Sequence, residues 1–199
     1  NFTFGKGKSG NPEILKEILE KNRIELEVQE AVFDDNLEVI SSTNIRKHIK
    51  ETNLEKVKKL LGHNLIILGK VIHGKQLGRT IGFPTANLKF ENRVYPSFGV
   101  YGVKIYFYEK GICKTYTGVM NIGRNPTVDK DNLSVETHIF DFDKDIYGKY
   151  ILIEIFKNIR KEIKFNSIDE LKNQIDKDSK YWKNEVKKIK EQDRENEIK

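Results

Sequence analysis

The chain has 199 residues, enough for one domain or two small ones with a real core, and its 37% apolar and 33% charged residues make a polar mix. No stretch approaches the ~20 consecutive apolar residues that span a bilayer, which excludes an integral membrane helix, and the single cysteine, Cys113, excludes an internal disulfide framework and fits a reducing cytoplasm. The net charge of +6 is compatible with anionic partners, but it is not one basic block: "KNEVKKIKEQDRENEIK" alternates signs and reads as a solvated helix face.

The chain opens on Asn1 and its only methionine is Met120, so a fragment or a processed product is expected. In chain order, "NPEILKEILEKN" predicts a helix with Asn11 as N-cap, Pro12 at its first position, and Ile14, Leu15, Ile18 and Leu19 on one face. "IELEVQEAVF" alternates and predicts a strand. "SSTNIRKHIKETNLEKVKKLLG" opens with hydroxyl caps and predicts one or two short helices. The second is capped by Asn53, buries Leu54, Val57 and Leu61, and stops at Gly62.

After Gly62 the texture changes. "NLIILGKVI", "VYGVKIYFY", "TYTGVMNIG", "SVETHIF" and "KYILIEIF" are short β-rich runs parted by Gly, Asn, Asp and Pro, without helical patterns between them. This predicts an antiparallel barrel or sandwich. Period-two alternation places Val103, Ile105 and Phe107 on one face, as it does Ile151, Ile153 and Ile155. "NSIDELKNQI" then carries a capping box, Ser167 to Glu170, ahead of an apolar stripe of Ile168, Leu171 and Ile175; Tyr181, Trp182 and Val186 extend it, and the last dozen residues are expected to fray.

Four features have residue types suited to chemistry. Gly69, Gly74, Gly78 and Gly82 space a loop whose backbone N–H groups can cradle phosphates, or that simply makes hairpin turns. It is neither a P-loop nor a dinucleotide fingerprint. In "PTAN", Thr85 and Asn87 point to one side of an extended segment, where two neutral oxygens suit a phosphate-bound magnesium ion or satisfy a tight turn. In "SVETHIF", Val135, Thr137 and Ile139 share one face and Glu136, His138 and Phe140 the other. Glu136 is either a general base whose pKa burial would raise, or part of a solvated face. His138 reads as a packing or hydrogen-bonding residue, since no second ligand at metal spacing supports zinc. Finally, the turn "MNIGRNPTV" can connect strands or hydrogen-bond a planar heterocycle, and Arg160, Lys161 and Lys164 precede a helix N-terminus that favours anions.

Five stretches in order, "GKVIHGKQLGRTIGFPTANL", "YPSFGVYGV", "GVMNIGRNPTV", "VETHIFDFDKDIYGK" and "FNSIDELKNQI", resemble the riboflavin kinase domain of bacterial bifunctional riboflavin kinase/FMN adenylyltransferases, also called FAD synthetases. Ahead of them, "NFTFGKGKSGN" and "ISSTNIR" resemble the end of the FMN adenylyltransferase domain, whose opening strand and His-x-Gly-His signature are missing here. The resemblance implies a six-stranded antiparallel Greek-key barrel with a C-terminal helix over 63–183. A partial Rossmann-like α/β segment over 1–62 would precede it, and a charged helical or frayed tail over 184–199 would follow. The segment before the barrel is expected to expose apolar surface and to be the least stable part.

The same resemblance implies the site. Thr85 and Asn87 would be magnesium-side ligands, and Gly74, Lys75, Gly78, Arg79, Gly82, Pro84 and Thr85 would bind ATP. Glu136 would take the proton of the ribityl 5′-hydroxyl as it attacks the γ-phosphate, giving FMN and ADP. Gly99, Tyr101, Asn121, Gly123, Asn125, Thr127 and Arg160 would contact the flavin. Many family members have Arg-Pro where this chain has Arg160-Lys161. In the adenylyltransferase remnant Ser42, Thr43 and Arg46 would help bind ATP. Without the His-x-Gly-His signature this chain alone is expected not to make FAD, whatever its parent does. The expected partners are small-molecule substrates and the missing half of the adenylyltransferase domain, with no nucleic acid and no membrane. Three rival readings remain at this stage: an FAD synthetase with an accessory barrel, a non-catalytic flavin-binding module, and a nucleic-acid-binding barrel.

Overall fold

The computed structural model describes residues 2–74, 76–90, 94–124 and 133–197. It divides into two compact units, Asn1–Ile40 and Ser41–Lys199.

Among its described residues the smaller unit holds a 3-10 turn at Lys6–Lys8 and one α-helix, α1 (Pro12–Lys21). The Asn11 side chain accepts from the Ile14 N–H at 2.9 Å, as its position before Pro12 predicts. The segment "IELEVQEAVF" is not a strand. Among the described residues only single bridges, Phe4 to Gly10 and Phe33 to Val39, form in this unit, and Val28, Val32 and Phe33 are exposed. Alternation marks which side chains share a face, but a strand persists only where a neighbour satisfies its backbone groups. No such neighbour lies beside this segment among the described residues of the unit.

The larger unit opens with α2 (Ser42–Lys50) and α3 (Leu54–Leu61). The Ser41 hydroxyl accepts from the Asn44 N–H and the Asn53 side chain from the Lys56 N–H. Gly62 ends α3 in the left-handed region at φ 76°, where glycine carries no Cβ penalty. Six strands follow: β1 (Leu65–Ile72), β2 (Ala86–Phe90), β3 (Gly99–Glu109), β4 (Ile112–Arg124), β5 (Leu133–Ile139) and β6 (Tyr150–Lys161). A short helix, α4 (Leu77–Thr80), lies between β1 and β2, and α5 (Ile168–Glu197) closes the chain.

All strand pairs are antiparallel, and the order β1-β2-β5-β4-β3-β6 closes into a barrel where β1 meets β6. The run β6-β3-β4-β5 has the Greek-key order, with the last strand returning beside the first. The alternating strands turn Ile67, Val71, Tyr101, Val103, Ile105, Met120, Ile122, Val135 and Ile153 into one buried core. Ile49 of α2 and Val57 of α3 join it. The Ser97 N–H donates to the Thr52 hydroxyl at 2.8 Å and its own hydroxyl to the Lys50 carbonyl at 3.1 Å, tying the turn between these helices to the entry of β3.

Helix α5 covers the outside of the barrel. Its Trp182 is 1% exposed and lies over Gly102 of β3, where a Cβ would stand 2.3 Å from the indole. The indole N–H donates to the Val103 carbonyl at 3.2 Å. The predicted capping box forms in part: the Glu170 N–H donates to the Ser167 hydroxyl at 3.1 Å, while the Glu170 carboxylate accepts from the Asn166 N–H. Among the described residues α5 runs on to Glu197.

Candidate active site

Register across the sheet builds the site. Asn87 of β2 stands opposite Glu136 of β5, Glu136 opposite Asn121 of β4, Asn121 opposite Val100 of β3, and Val100 opposite Arg160 of β6. Each pair faces outward, because the inner face is taken by residues such as Leu88, Val135, Thr137 and Met120. Opposite residues in an antiparallel pair hold their Cβ atoms about 5 Å apart. Five residues distant in sequence therefore form one row on the barrel surface.

The loop before β2 folds over one end of this row. The Phe83 N–H donates to the Gly78 carbonyl at 2.8 Å, closing a short ring. A Cβ at Gly78 would lie 2.3 Å from the Phe83 carbonyl oxygen and 3.3 Å from the Thr85 hydroxyl, so only glycine permits this approach. Gly82 makes the turn at φ 86°, and Pro84 leads the chain into β2. Gly74 plays a matching part at Asn87: a Cβ there would stand 2.2 Å from the Asn87 amide nitrogen. Both neutral oxygens singled out in "PTAN" thus sit in cradles that bare glycine backbone leaves open.

Two cavities meet at Thr85. The first, about 180 Å³, is lined by Gly78, Thr85, Asn121, Glu136, His138 and Arg160, with an apolar wall of Val100, Val119, Ile163, Phe165, Leu171 and Ile175. The second, about 510 Å³, is lined by Gln76, Arg79, Pro84, Thr85, Lys144 and Tyr147 over a floor that includes Val71, Thr137 and Ile146. The Thr137 hydroxyl, fully buried in that floor, has no hydrogen-bond partner among the described residues.

In the first cavity the Ser134 hydroxyl donates to Glu136 Oε1 at 3.1 Å. Arg160 is tied down: its Nε donates to Asp178 Oδ2 at 2.9 Å and one terminal nitrogen to the Lys161 carbonyl at 3.1 Å. Gln174 donates to the other Asp178 oxygen at 2.8 Å. Asp178 is 4% exposed, so Arg160 is the counter-ion that makes its burial tolerable. At the rim of the second cavity Glu109 accepts from Lys114 at 2.7 Å and from Lys144 at 3.0 Å. These two ammonium groups hold the Glu109 carboxyl down to about 2.

Of the residues expected from the sequence, Gly78, Thr85, Asn121, Glu136 and Arg160 come together in the first cavity, and Arg79, Pro84 and Thr85 in the second. Asn87 stands beside them in the row. Gly99 and Gly123 line neither cavity: a Cβ at Gly99 would meet the Arg160 carbonyl at 2.5 Å and one at Gly123 the Glu162 carboxylate at 2.4 Å. Tyr101 faces inward, fully buried, with its hydroxyl donating to the Ser97 carbonyl; it does not line the first cavity. Ser42, Thr43 and Arg46 are exposed on the first turns of α2 and line neither cavity. Lys75, Asn125 and Thr127 lie outside the described residues. Sequence reasoning missed Asp178, Glu162 and the apolar wall, which only the docking of α5 and the chain after β6 bring to the row. An apolar stripe on α5 was visible, and the resemblance implied that the flavin ring would lie against the later barrel loops and this final helix.

Among the described residues no group of three or more His, Cys, Asp or Glu can hold a metal ion, and no helix is long and apolar enough to cross a membrane. A barrel with this row and these paired cavities has recognisable relatives. A family model described as riboflavin kinase matches residues 61–186. The bifunctional riboflavin kinase/FMN adenylyltransferase of Haemophilus influenzae is 40% identical over 178 residues, covering 89% of this chain and 56% of the relative. The Bacillus subtilis protein of the same name is 40% identical over 182 residues with the same coverage. A solved structure titled as a macrolide-efflux protein from Streptococcus pneumoniae matches with a TM-score of 0.72 at 37% identity, over 89% of this chain and 56% of that one. The chain thus spans just over half the length of these relatives. Because the family match takes in every strand, α4 and the part of α5 that walls the first cavity, the chain belongs to the riboflavin kinase family.

Proposed function

We propose that the chain transfers the γ-phosphate of ATP to the 5′-hydroxyl of riboflavin, giving FMN and ADP, with the flavin in the first cavity and the nucleotide in the second. The observation that carries this reading is that Thr85 borders both cavities while Glu136 stands in the first beside it. A two-substrate phosphoryl transfer needs such a meeting point, because its catalysis is mainly positioning and charge neutralisation.

The residues divide the work. Val100, Val119, Leu171 and Ile175 offer an apolar wall to a planar ring, and Asn121 supplies an amide to its edge. Arg160, immobilised by Asp178, presents positive charge near the ribityl end or the product phosphate. Glu136 accepts the 5′-hydroxyl proton at the carboxylate oxygen that Ser134 does not hold. The hydroxyl oxygen forms its bond to the γ-phosphorus as the bond to the β–γ bridging oxygen breaks and ADP leaves. Arg79, Lys144 and backbone N–H groups of the glycine loop meet the phosphates of ATP. Thr85 and Asn87 fit a divalent ion whose anionic ligands come from those phosphates, since magnesium takes neutral oxygens and water readily in such a shell. Magnesium bound there supplies neutralisation of the phosphate charge.

The relatives' names include a second activity, FMN adenylyltransferase. We extend it only to a longer protein containing this chain, in which Ser42, Thr43 and Arg46 serve ATP. A cytoplasmic location fits the single thiol.

The test is incubation of the chain with riboflavin, ATP and Mg²⁺ followed by chromatography of the flavins. The wild type forms FMN. Glu136→Gln keeps riboflavin binding and loses about 10²–10⁴-fold in turnover, the usual worth of general base catalysis. Turnover within a few-fold of wild type would remove Glu136 from that role. Riboflavin bound but never phosphorylated would leave a flavin-binding module, and FAD among the products would place adenylyl transfer in this chain.

A further inference from the structure

Among the described residues the seam between β2 and β5 is the shortest in the barrel: two residue pairs, Ala86 with Thr137 and Asn87 with Glu136, against eleven between β3 and β4. Yet it joins the strand that carries Glu136 to the segment that carries Thr85 and Asn87. The ladder stops where Pro84 arrives, since proline has no N–H to donate. Its carbonyl still needs a donor, and His138 provides one: Nδ1 lies 2.9 Å from the Pro84 oxygen, across 54 residues of sequence. A carbonyl only accepts, so Nδ1 carries the proton. The ring is also held from two sides, edge-on by Phe83 at 5.3 Å and by Phe140 at 5.7 Å between centroids. His138 lines the same cavity as Thr85 and Glu136.

We propose that His138 is a positioning residue, whose Nδ1–H bond to the Pro84 carbonyl extends the β2–β5 seam and holds Thr85 in place relative to Glu136. The role rests on the kinase reading, in which these two residues serve the two substrates. Without the bond, the Pro84 carbonyl next to Thr85 loses a tie to β5, and the Phe83-to-Gly78 ring closure within the loop does not replace it.

Three variants separate the contributions. His138→Phe keeps a ring between Phe83 and Phe140 but has no donor. In His138→Asn the amide nitrogen sits where Nδ1 does; in His138→Gln it sits nearer Nε2. Two readouts are taken on the intact chain: hydrogen exchange of the 78–88 segment, and the steady-state kinetics of FMN formation with a magnesium titration. Expected for His138→Phe are faster exchange over 78–88, a kcat lower by about 10–100-fold, the range for supporting groups behind an active site, a raised magnesium requirement, and an unchanged KM for riboflavin. His138→Asn should return exchange and kcat toward wild type, and His138→Gln should not.

The proposal is overturned if exchange over 78–88 is the same in His138→Phe as in wild type, or if Gln rescues and Asn does not, which would move the role to Nε2 and direct contact with substrate. A wild-type chain that makes no FMN would sink the kinase reading, while the exchange measurement still decides whether His138 fastens the seam.

Discussion

Replacing Trp182 by alanine tests whether α5 is a wall of the first cavity, where we propose the flavin binds, or a bystander. The indole is 1% exposed, packs on the bare backbone of Gly102 and against Phe156 at 6.0 Å, and donates to the Val103 carbonyl. A buried aromatic of this size removes about 200 Å² from water, worth at most about 5 kcal/mol at ~25 cal/mol per Å². Alanine keeps a fraction of that and forfeits a hydrogen bond of about 1 kcal/mol, so the loss comes to roughly 4 kcal/mol, within the range for Trp→Ala in cores. With a urea slope of about 2 kcal/mol per M the unfolding midpoint falls by about 2 M. Circular dichroism must follow the transition, because Trp182 is the chain's only tryptophan. Trp182→Phe, which keeps the ring and loses only the donor, should cost about 1 kcal/mol. Since Leu171, Ile175 and Asp178 ride on the same helix, the alanine variant should also raise KM for riboflavin without changing KM for ATP. A cost below about 1 kcal/mol, with KM for riboflavin unchanged, would refute the argument that this ring docks α5 onto the cavity.

Asn87→Ala should raise the magnesium concentration needed for half-maximal FMN formation; an unchanged titration removes Asn87 from the metal side. Asp178→Asn leaves the Arg160 guanidinium without its counter-ion. Breaking a buried pair costs about 3–5 kcal/mol, reduced here toward roughly 2 because the Arg160 side chain is 19% exposed. Riboflavin affinity measured by fluorescence quenching should fall with it, and unchanged affinity would separate Arg160 from the flavin. Glu109 titrates in the folded chain at about 2, below the ordinary carboxylate value near 4.3. A depressed pKa means its contribution is present above the ordinary value and lost as pH falls toward 2. The difference in melting temperature between wild type and Glu109→Gln should therefore shrink across that window. A difference that stays constant would show that the Lys114 and Lys144 contacts do not act through charge.

Much of the fold could be read from the chain because its signals are local. The caps at Asn11, Asn53 and Ser167 and the stop at Gly62 depend on neighbours within a turn. Strand faces depend on parity, which put Val103, Ile105 and Phe107 in the core. The same parity places Tyr101 with them. The misread segment was "IELEVQEAVF", where alternation was present but a pairing strand was not.

The site was legible only as a set of residue types. Thr85, Asn87 and Glu136 stood out by chemistry, yet nothing in their spacing told that Asn87 and Glu136 face each other, or that Asn121, Val100 and Arg160 continue the row. Cross-strand register is settled by barrel closure and by the shifts between β3 and β6, which join residues scores of positions apart. The burial of Asp178 against Arg160 and the meeting of two cavities at Thr85 depend on where α5 and the glycine loop dock. Sequence by itself determined most of the elements, their caps and their inward faces, because these follow from the nearest few residues. Tertiary structure decided which polar side chains share a cavity, because that follows from pairings between segments that local propensity does not encode.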